Sequence, residues 1–492
     1  MLIWSLDYLV FPRKIVQRGL VCNMLPYLVF LLLTLSTHTH GEKPAIKLIL
    51  TDKGLQYGEH MASVVLTEKM KNMSFPDISG GVSIGLLGTV DYVLSGMSVS
   101  QCDFPEPSVD FYEEVGLKAV VSDLNMRVNG RWNTNFGIIY DSGSFDLKVS
   151  NVGVTSVVRL ADNEGHLSIS SEACSAEIGD VNINFHGGAS FIFQPFVDGF
   201  KGRIKGEILG KICPAIQQQT EELERQLAAI AVSFQVGSDL VLDVPLSSSP
   251  LVDSASLELD FKGEFYSAKS HTDPPFQADD FSLTRQDSYM LSLGMSEFTA
   301  NSVSYSYFST GVLVAHITDK MIPAFSPLRL NTSSFGKLIP QLPKLFPDLL
   351  MELSVSARKV PMFSFLPGEV QLGLPGMVTA FAVQNNATLT PLFKLQADSV
   401  FSGQVSISGN KVRGSAALSN FTLTLVSSEI GPFKAAFLEN LVMLGIKTVL
   451  LPKLNAKLGE GVVLPSLHHI QLVNPVLKVK KGFVAFSCDF DV

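Results

Sequence analysis

After Leu35 this chain never runs apolar for the roughly 20 residues that a bilayer-crossing helix needs, although 46% of its residues are apolar and only 17% are charged. An ordinary soluble domain is nearer a quarter charged. The surplus is spread over short alternating stretches and a few amphipathic ones. Such a chain must either enclose an unusually large apolar interior or hold something apolar inside it. At 492 residues it is also too long for one core, which stops growing near ~250–300 residues, so two large domains are expected.

The first residues read as a leader. Arg13, Lys14 and Arg18 precede the apolar stretch Leu25 to Leu35, and Ser36, Thr37, Thr39 and Gly41 follow it. That is the layout of a secretory signal peptide over residues 1–41, with Met24 as an alternative start and an uncleaved anchor as the competing reading. Beyond Gly41 the chain keeps Cys102, Cys174, Cys213 and Cys488. Four cysteines are too few to build a fold, so the core must carry it and a bridge only staples it. Glycosylation sequons at Asn72, Asn331, Asn386 and Asn420 fit the same extracellular destination.

From Glu42 to Pro250 there are 15 Lys and Arg against 26 Asp and Glu; from Leu251 to Val492 there are 19 against 19. An acidic half and a neutral half lack the basic field of a protein drawn to nucleic acid or to an anionic membrane.

Most of the chain alternates with the period of half-buried strands. Phe145, Leu147 and Val149 oppose Ser144, Asp146 and Lys148; Leu257, Leu259 and Phe261 oppose Glu258, Asp260 and Lys262; Phe421, Leu423 and Leu425 oppose Thr422 and Thr424. Such alternation implies long antiparallel strands with water on one face. Three helices interrupt it. Residues 52–71 align Leu55, Gly58, Ala62 and Val65. Residues 196–230 carry Phe196, Phe200, Ile204, Ile208, Ile212 and Ile216 at four-residue spacing, a stripe that must wrap or bend, with Pro214 able to supply a bend. Residues 432–457 offer Phe433, Phe437, Leu441 and Leu444 as an apolar side. Two echoes, Pro195-Phe196 with Phe200 against Pro432-Phe433 with Phe437, and Phe75-Pro76-Asp77 against Phe346-Pro347-Asp348, suggest that one half repeats the other. The linker-like Val244 to Pro250 divides them. The expected plan is an N-terminal barrel over 42–243, a linker and central sheet over 244–260, and a C-terminal barrel over 261–492.

Several stretches resemble the bactericidal/permeability-increasing protein family, which includes lipopolysaccharide-binding protein and plasma lipid-transfer proteins. They are Lys53-Gly-Leu-Gln-Tyr57, Gly130-Arg-Trp132, Gly143-Ser-Phe-Asp-Leu147, Lys262-Gly-Glu-Phe-Tyr-Ser267, Pro274-Pro-Phe276, Met321-Ile-Pro323 and Ile430-Gly-Pro-Phe433, in the family's order from about Glu42 to the end. The resemblance implies an α+β boomerang of two elongated barrels, each a twisted antiparallel sheet wrapped around long helices, joined by a central sheet. It implies an apolar pocket for phospholipid acyl chains in each barrel, and a disulfide between Cys174 and Cys213. Cys102 and Cys488 are left free or bonded to each other. Each acyl methylene leaving water is worth about 0.8 kcal/mol, so a pocket lined by Leu55, Ala62, Val65, Phe196, Phe200, Ile204, Ile208, Phe433, Phe437 and Leu441 would hold a two-chain lipid. The competing reading of each of those side chains is ordinary core.

The bactericidal members read lipopolysaccharide through a lysine-rich tip. Here Lys69 and Lys71 stand beside Glu68, and no basic residue follows from Asn72 to Asp91. Catalysis finds no support: there is no H-E-x-x-H, no G-x-S-x-G elbow, and Gly80 to Gly88 lacks both the lysine of a phosphate loop and the dinucleotide spacing. No cofactor or metal is expected. The preferred reading is a secreted, non-catalytic protein holding phospholipid-like amphiphiles. Recognition of lipopolysaccharide in innate immunity, lipid transfer, and a structural protein with self-filled pockets are the alternatives.

Overall fold

The computed structural model describes residues 43–491 apart from 72–73, 76, 84–87, 137–138, 189, 191–196, 323–325, 327 and 464–470. The leader, Asn72 and Phe196 therefore lie outside the described residues. The chain opens with β1 (Ile46–Thr51) and α1 (Asp52–Lys71). Then come β2 (Ser74–Phe75), β3 (Ile78–Ser83), β4 (Thr89–Asp103), β5 (Ser108–Tyr112), β6 (Gly116–Phe136), β7 (Ile139–Asn163), β8 (His166–His186) and α2 (Val197–Ala228). A middle section holds β9 (Ser233–Val236), β10 (Leu240–Asp243), β11 (Leu251–Val252), β12 (Ser256–Phe261), β13 (Glu264–Ser267), β14 (Leu291–Ser296) and α3 (Glu297–Ser309). Next are β15 (Val314–Thr318), the single turns α4 (Thr332–Phe335) and α5 (Leu342–Leu345), β16 (Leu350–Ala357), β17 (Met362–Leu366), β18 (Glu369–Val383), β19 (Leu389–Ser408) and β20 (Lys411–Ser428). The chain closes with α6 (Ala436–Gly445), a π turn (Ile446–Leu450), α7 (Leu451–Glu460), β21 (Val462–Val463), β22 (Gln471–Val479) and β23 (Phe483–Asp491).

Two seven-stranded sheets repeat one plan. The first runs β4-β6-β7-β8, with β2 and β3 on β4 and the short β5 folded onto β6; the second runs β16-β18-β19-β20, with the short β17 folded onto β18. All their pairings are antiparallel, and the 25 residues of β7 would extend roughly 80 Å if straight. The first sheet curls because bulges line up across it. Gly96, Asp123 and Asn151, one on each of three neighbouring strands, take left-handed φ of 58°, 60° and 55°, and the pairing register slips at Ser95/Ser98 and Val121/Leu124. Asn125 ties the row together, its amide donating to the Asp123 carbonyl and its Oδ1 accepting from Asn151 N–H.

The third large sheet, β11-β12-β1-β14-β23-β22, brings the first strand and the last into one surface. Its β12 face was expected to meet water; instead Lys47, opposite on β1, pairs with Glu258 at 2.9 Å and Asp260 at 3.2 Å and leaves Asp260 buried. Lys53 at the head of α1 donates to Asp489 Oδ1 at 2.8 Å, beside Met290 N–H at 3.0 Å and Asn474 at 3.2 Å. Burial raises the Asp489 carboxyl, but those hydrogen bonds and the Lys53 charge hold it below the usual carboxylate range. Gly54 is required there, since a Cβ would stand 2.6 Å from the Met290 carbonyl oxygen.

The third helix departs from expectation. Residues 432–435 are not helical, so the spacing that starts at Phe433 begins outside α6. Within α6 the buried residue is Leu438, whereas Phe437 is 63% exposed and Leu444 54%. Glu439, accepting from Leu423 N–H at 2.9 Å, sets this phase.

Candidate apolar binding slots

Each curled sheet is sealed at one end and incompletely packed further along. At the sealed end of the first, Trp132, Phe145, Leu94, Met97 and Ile183 are buried with Ile204 of α2. Trp132 donates its indole N–H to the His186 carbonyl and meets Phe185 edge-on. Gly130 and Gly143 admit those rings: a Cβ would lie 2.6 Å from Phe145 at the first and 2.6 Å from the Trp132 indole nitrogen at the second. A second buried cluster lies at the central sheet, where Leu227 of α2 joins Leu48, Phe111, Leu167, Leu259 and Phe261.

Between Ile204 and Leu227, about 35 Å along the helix, α2 carries no fully buried apolar side chain: Ile208, Leu209, Ile212, Ile216 and Leu223 are all half-buried. Val99, Cys102, Phe104, Val121 and Val154 on the sheet side are half-buried too. Water reaches this band of apolar side chains. On α1, Leu55 packs half-buried on the central cluster and Ala62 is half-buried; the side chains of Val65 and Phe200 lie outside the described residues.

Two devices hold α2 on the edge strand β8. Cys174 and Cys213 are disulfide-bonded, with Cα atoms 5.7 Å apart. Glu224 accepts from Ile169 N–H at 2.6 Å and Ser168 Oγ at 3.0 Å, satisfying an edge that no strand pairs. Cys102 and Cys488 form no disulfide; burial pushes the Cys488 thiol up to about 12.

The second sheet seals one end with Leu342, Met351, Leu392, Phe393, Phe421 and Leu438, and the half-buried Phe433 packs edge-on against Phe393. Beyond that cluster β18 is half-buried at every position from Glu369 to Thr379, with no alternation. β19 behaves likewise from Gln396 to Gly403, and Leu441, Leu454 and Leu458 on the helices are half-buried. Among the described residues no disulfide pins this side. Asn455 of α7 clamps the β20 edge instead, accepting from Ala416 N–H at 2.7 Å and donating to its carbonyl at 2.9 Å.

The sequons fall in different settings. Asn386 sits exposed in the turn between β18 and β19, its Oδ1 accepting from the Thr388 hydroxyl at 2.6 Å. Asn420 is exposed on β20, while Asn331 caps α4 by accepting from Ser334 N–H and is followed by a buried Thr332. Sequence spacing gave no metal motif. The fold does bring Glu264, His271 and Asp273 within 4.8 Å of one another, but Lys262 already neutralises Glu264 at 2.9 Å, and we assign no ion there.

Sequence reasoning missed α3. Its buried side is polar, Thr299, Asn301, Ser302, Ser304 and Ser306, because it binds strand edges: Asn301 exchanges two hydrogen bonds with Phe363, Glu297 accepts from Phe365 N–H, and Ser302 and Ser306 bond Phe265. A helix buried through hydroxyls and amides gives no apolar period to read.

Comparison with known proteins agrees with this architecture. Residues 54–225 match the N-terminal domain of the LBP / BPI / CETP family and residues 235–492 its C-terminal domain. A bactericidal permeability-increasing protein from Sebastes schlegelii is 35% identical over 95% of this chain and 98% of its own length. Human lipopolysaccharide-binding protein is 28% identical over 95% and 98%. A crystal structure of lipopolysaccharide binding protein superposes with a TM-score of 0.57 at 24% identity, covering 91% of this chain and 99% of that one, which shows the shared boomerang of two helix-wrapped curled sheets. By sequence over nearly its whole length and by fold, the chain belongs to the LBP / BPI / CETP family.

Proposed function

We propose that this is a secreted lipid-binding protein that holds phospholipid-like amphiphiles in two apolar slots, one in the barrel of residues 42–243 and one in that of 261–492, without catalysis. The observation that supports it most is the half-buried band beyond the sealed end of each sheet. A core that needed only its own side chains would gain by closing that band, since interiors pack to crystal density. Acyl chains laid there would trade water for Ile208, Ile212, Val121 and Val154 on one side, and for Leu372, Leu454 and Leu458 on the other. Leu55 and Ala62 on α1 continue the first lining; Phe433 and Leu441 continue the second. The headgroup stays in water at the slot mouth. Extraction of the natively purified protein followed by lipid mass spectrometry tests this: phospholipid is expected, and an extract without lipid would overturn it.

Lipopolysaccharide is the second reading, favoured by what the relatives' names say they bind. The acidic first half speaks against headgroup capture by steering. Binding to lipopolysaccharide that weakens steeply as salt rises would favour this reading; salt-insensitive phospholipid binding favours the first.

A further inference from the structure

Charge averaged over the second half hides a local imbalance. Between residues 399 and 488 the chain has nine Lys or Arg against three acids, Glu429, Glu439 and Glu460, in a protein of net charge −9. Five of those cations gather on one rod of structure. Lys434 precedes α6, Lys447 lies in the π turn, and Lys453 and Lys457 lie on α7. Arg413 of β20 reaches the rod's end, where a Cβ on Gly461 would be 2.7 Å from its Cγ. All five are exposed. Among the described residues only Lys457 makes an ion pair, with Glu460 at 3.1 Å. Glu439, the rod's other acid, is turned onto the β20 backbone.

The same rod exposes large apolar side chains. Phe437 and Leu444 are seven residues apart, and so share the helix face opposite Leu438 and Glu439. Leu450, Val462 and Val463 are exposed further along. Isolated exposed apolar residues are ordinary, but here they are interleaved with five exposed cations, of which only Lys457 is ion-paired among the described residues.

We propose that α6, the π turn and α7, with Arg413, form a docking face for an anionic lipid membrane. Apolar side chains that enter the headgroup boundary, with lysines at the level of the phosphates, are what hold a helix in that interface. A second copy of the chain fits this face poorly, because a two-fold contact would set its cations against themselves. The proposal does not depend on the slots being filled, and the two can fail separately.

The full chain should float with vesicles of phosphatidylcholine containing phosphatidylglycerol and not with phosphatidylcholine alone, less so at high salt. The triple variant K447E/K453E/K457E should lose at least about tenfold in vesicle affinity while its extracted lipid and thermal midpoint stay unchanged. The pair F437S/L444S should weaken the binding that persists at high salt. Equal binding to both vesicle types, triple-variant binding equal to that of the unaltered chain, or a concentration-dependent dimer dissolved by F437S/L444S would each overturn the proposal. Loss of extractable lipid without loss of vesicle binding would strike the slots and leave this face standing.

Discussion

The two barrels share strand order but hold their helices differently. In the first, α2 runs unbroken for 32 residues and is fixed to β8 by the Cys174–Cys213 bond and by Glu224. In the second the helix is interrupted by a π turn and hydrogen-bonded to β20 by Glu439 and Asn455. Each inner face alternates at its sealed end, β8 from Asp180 to His186 and β18 from Ala380 to Val383, and β18 is half-buried over the eleven residues before that. A curled sheet closed by a helix needs its unpaired edge satisfied, and either a covalent staple or side-chain acceptors will do it.

The largest effect should come from the staple. Cys213→Ser opens a loop of 39 residues, for which chain entropy gives about 4 kcal/mol; denaturant unfolding followed by Trp132 fluorescence should show the first barrel melting early. An unchanged midpoint would mean that Glu224 and packing already suffice. Next, Leu438→Ala should cost about 3 kcal/mol whereas Phe437→Ala should change stability by less than about 0.5 kcal/mol; equal costs would put Phe437 back in the interior. Asn455→Ala leaves the Ala416 N–H without its acceptor and should cost about 2 kcal/mol, read as faster hydrogen exchange along β20 with β8 unaffected.

The smallest effect is set by pH and belongs to the first barrel. His166, at the β7–β8 turn, is buried with Nδ1 unbonded. Burial lowers its pKa, against the pull of Asp162, Glu164 and Glu224. The unfolded chain thus takes up the proton first, so stability is full above the ordinary histidine value of about 6.5 and falls as pH drops below it. His166→Gln should flatten the decline in melting temperature between about pH 7 and 5; an identical slope would place the acid sensitivity elsewhere.

Much of this was legible in the residues. Asp52 and Lys71 bound the first helix as spacing suggested, and the four-residue stripe faces the sheet from Ile204 to Ile212. The third helix was misphased because Phe433 looks helical by period while lying ahead of the helix, and the phase comes from a carboxylate meeting an edge N–H. α3 was invisible because its buried side is hydroxyl and amide. The half-buried bands could not be read at all: Leu372 or Val154 alternates in sequence like any core residue, and only the distance between helix and sheet decides whether the core closes.

The most direct test is the mass of the intact protein, purified without added lipid, under native and then denaturing conditions. The account predicts a native excess equal to one or two phospholipid molecules that disappears on denaturation. Equal masses in the two conditions would contradict it.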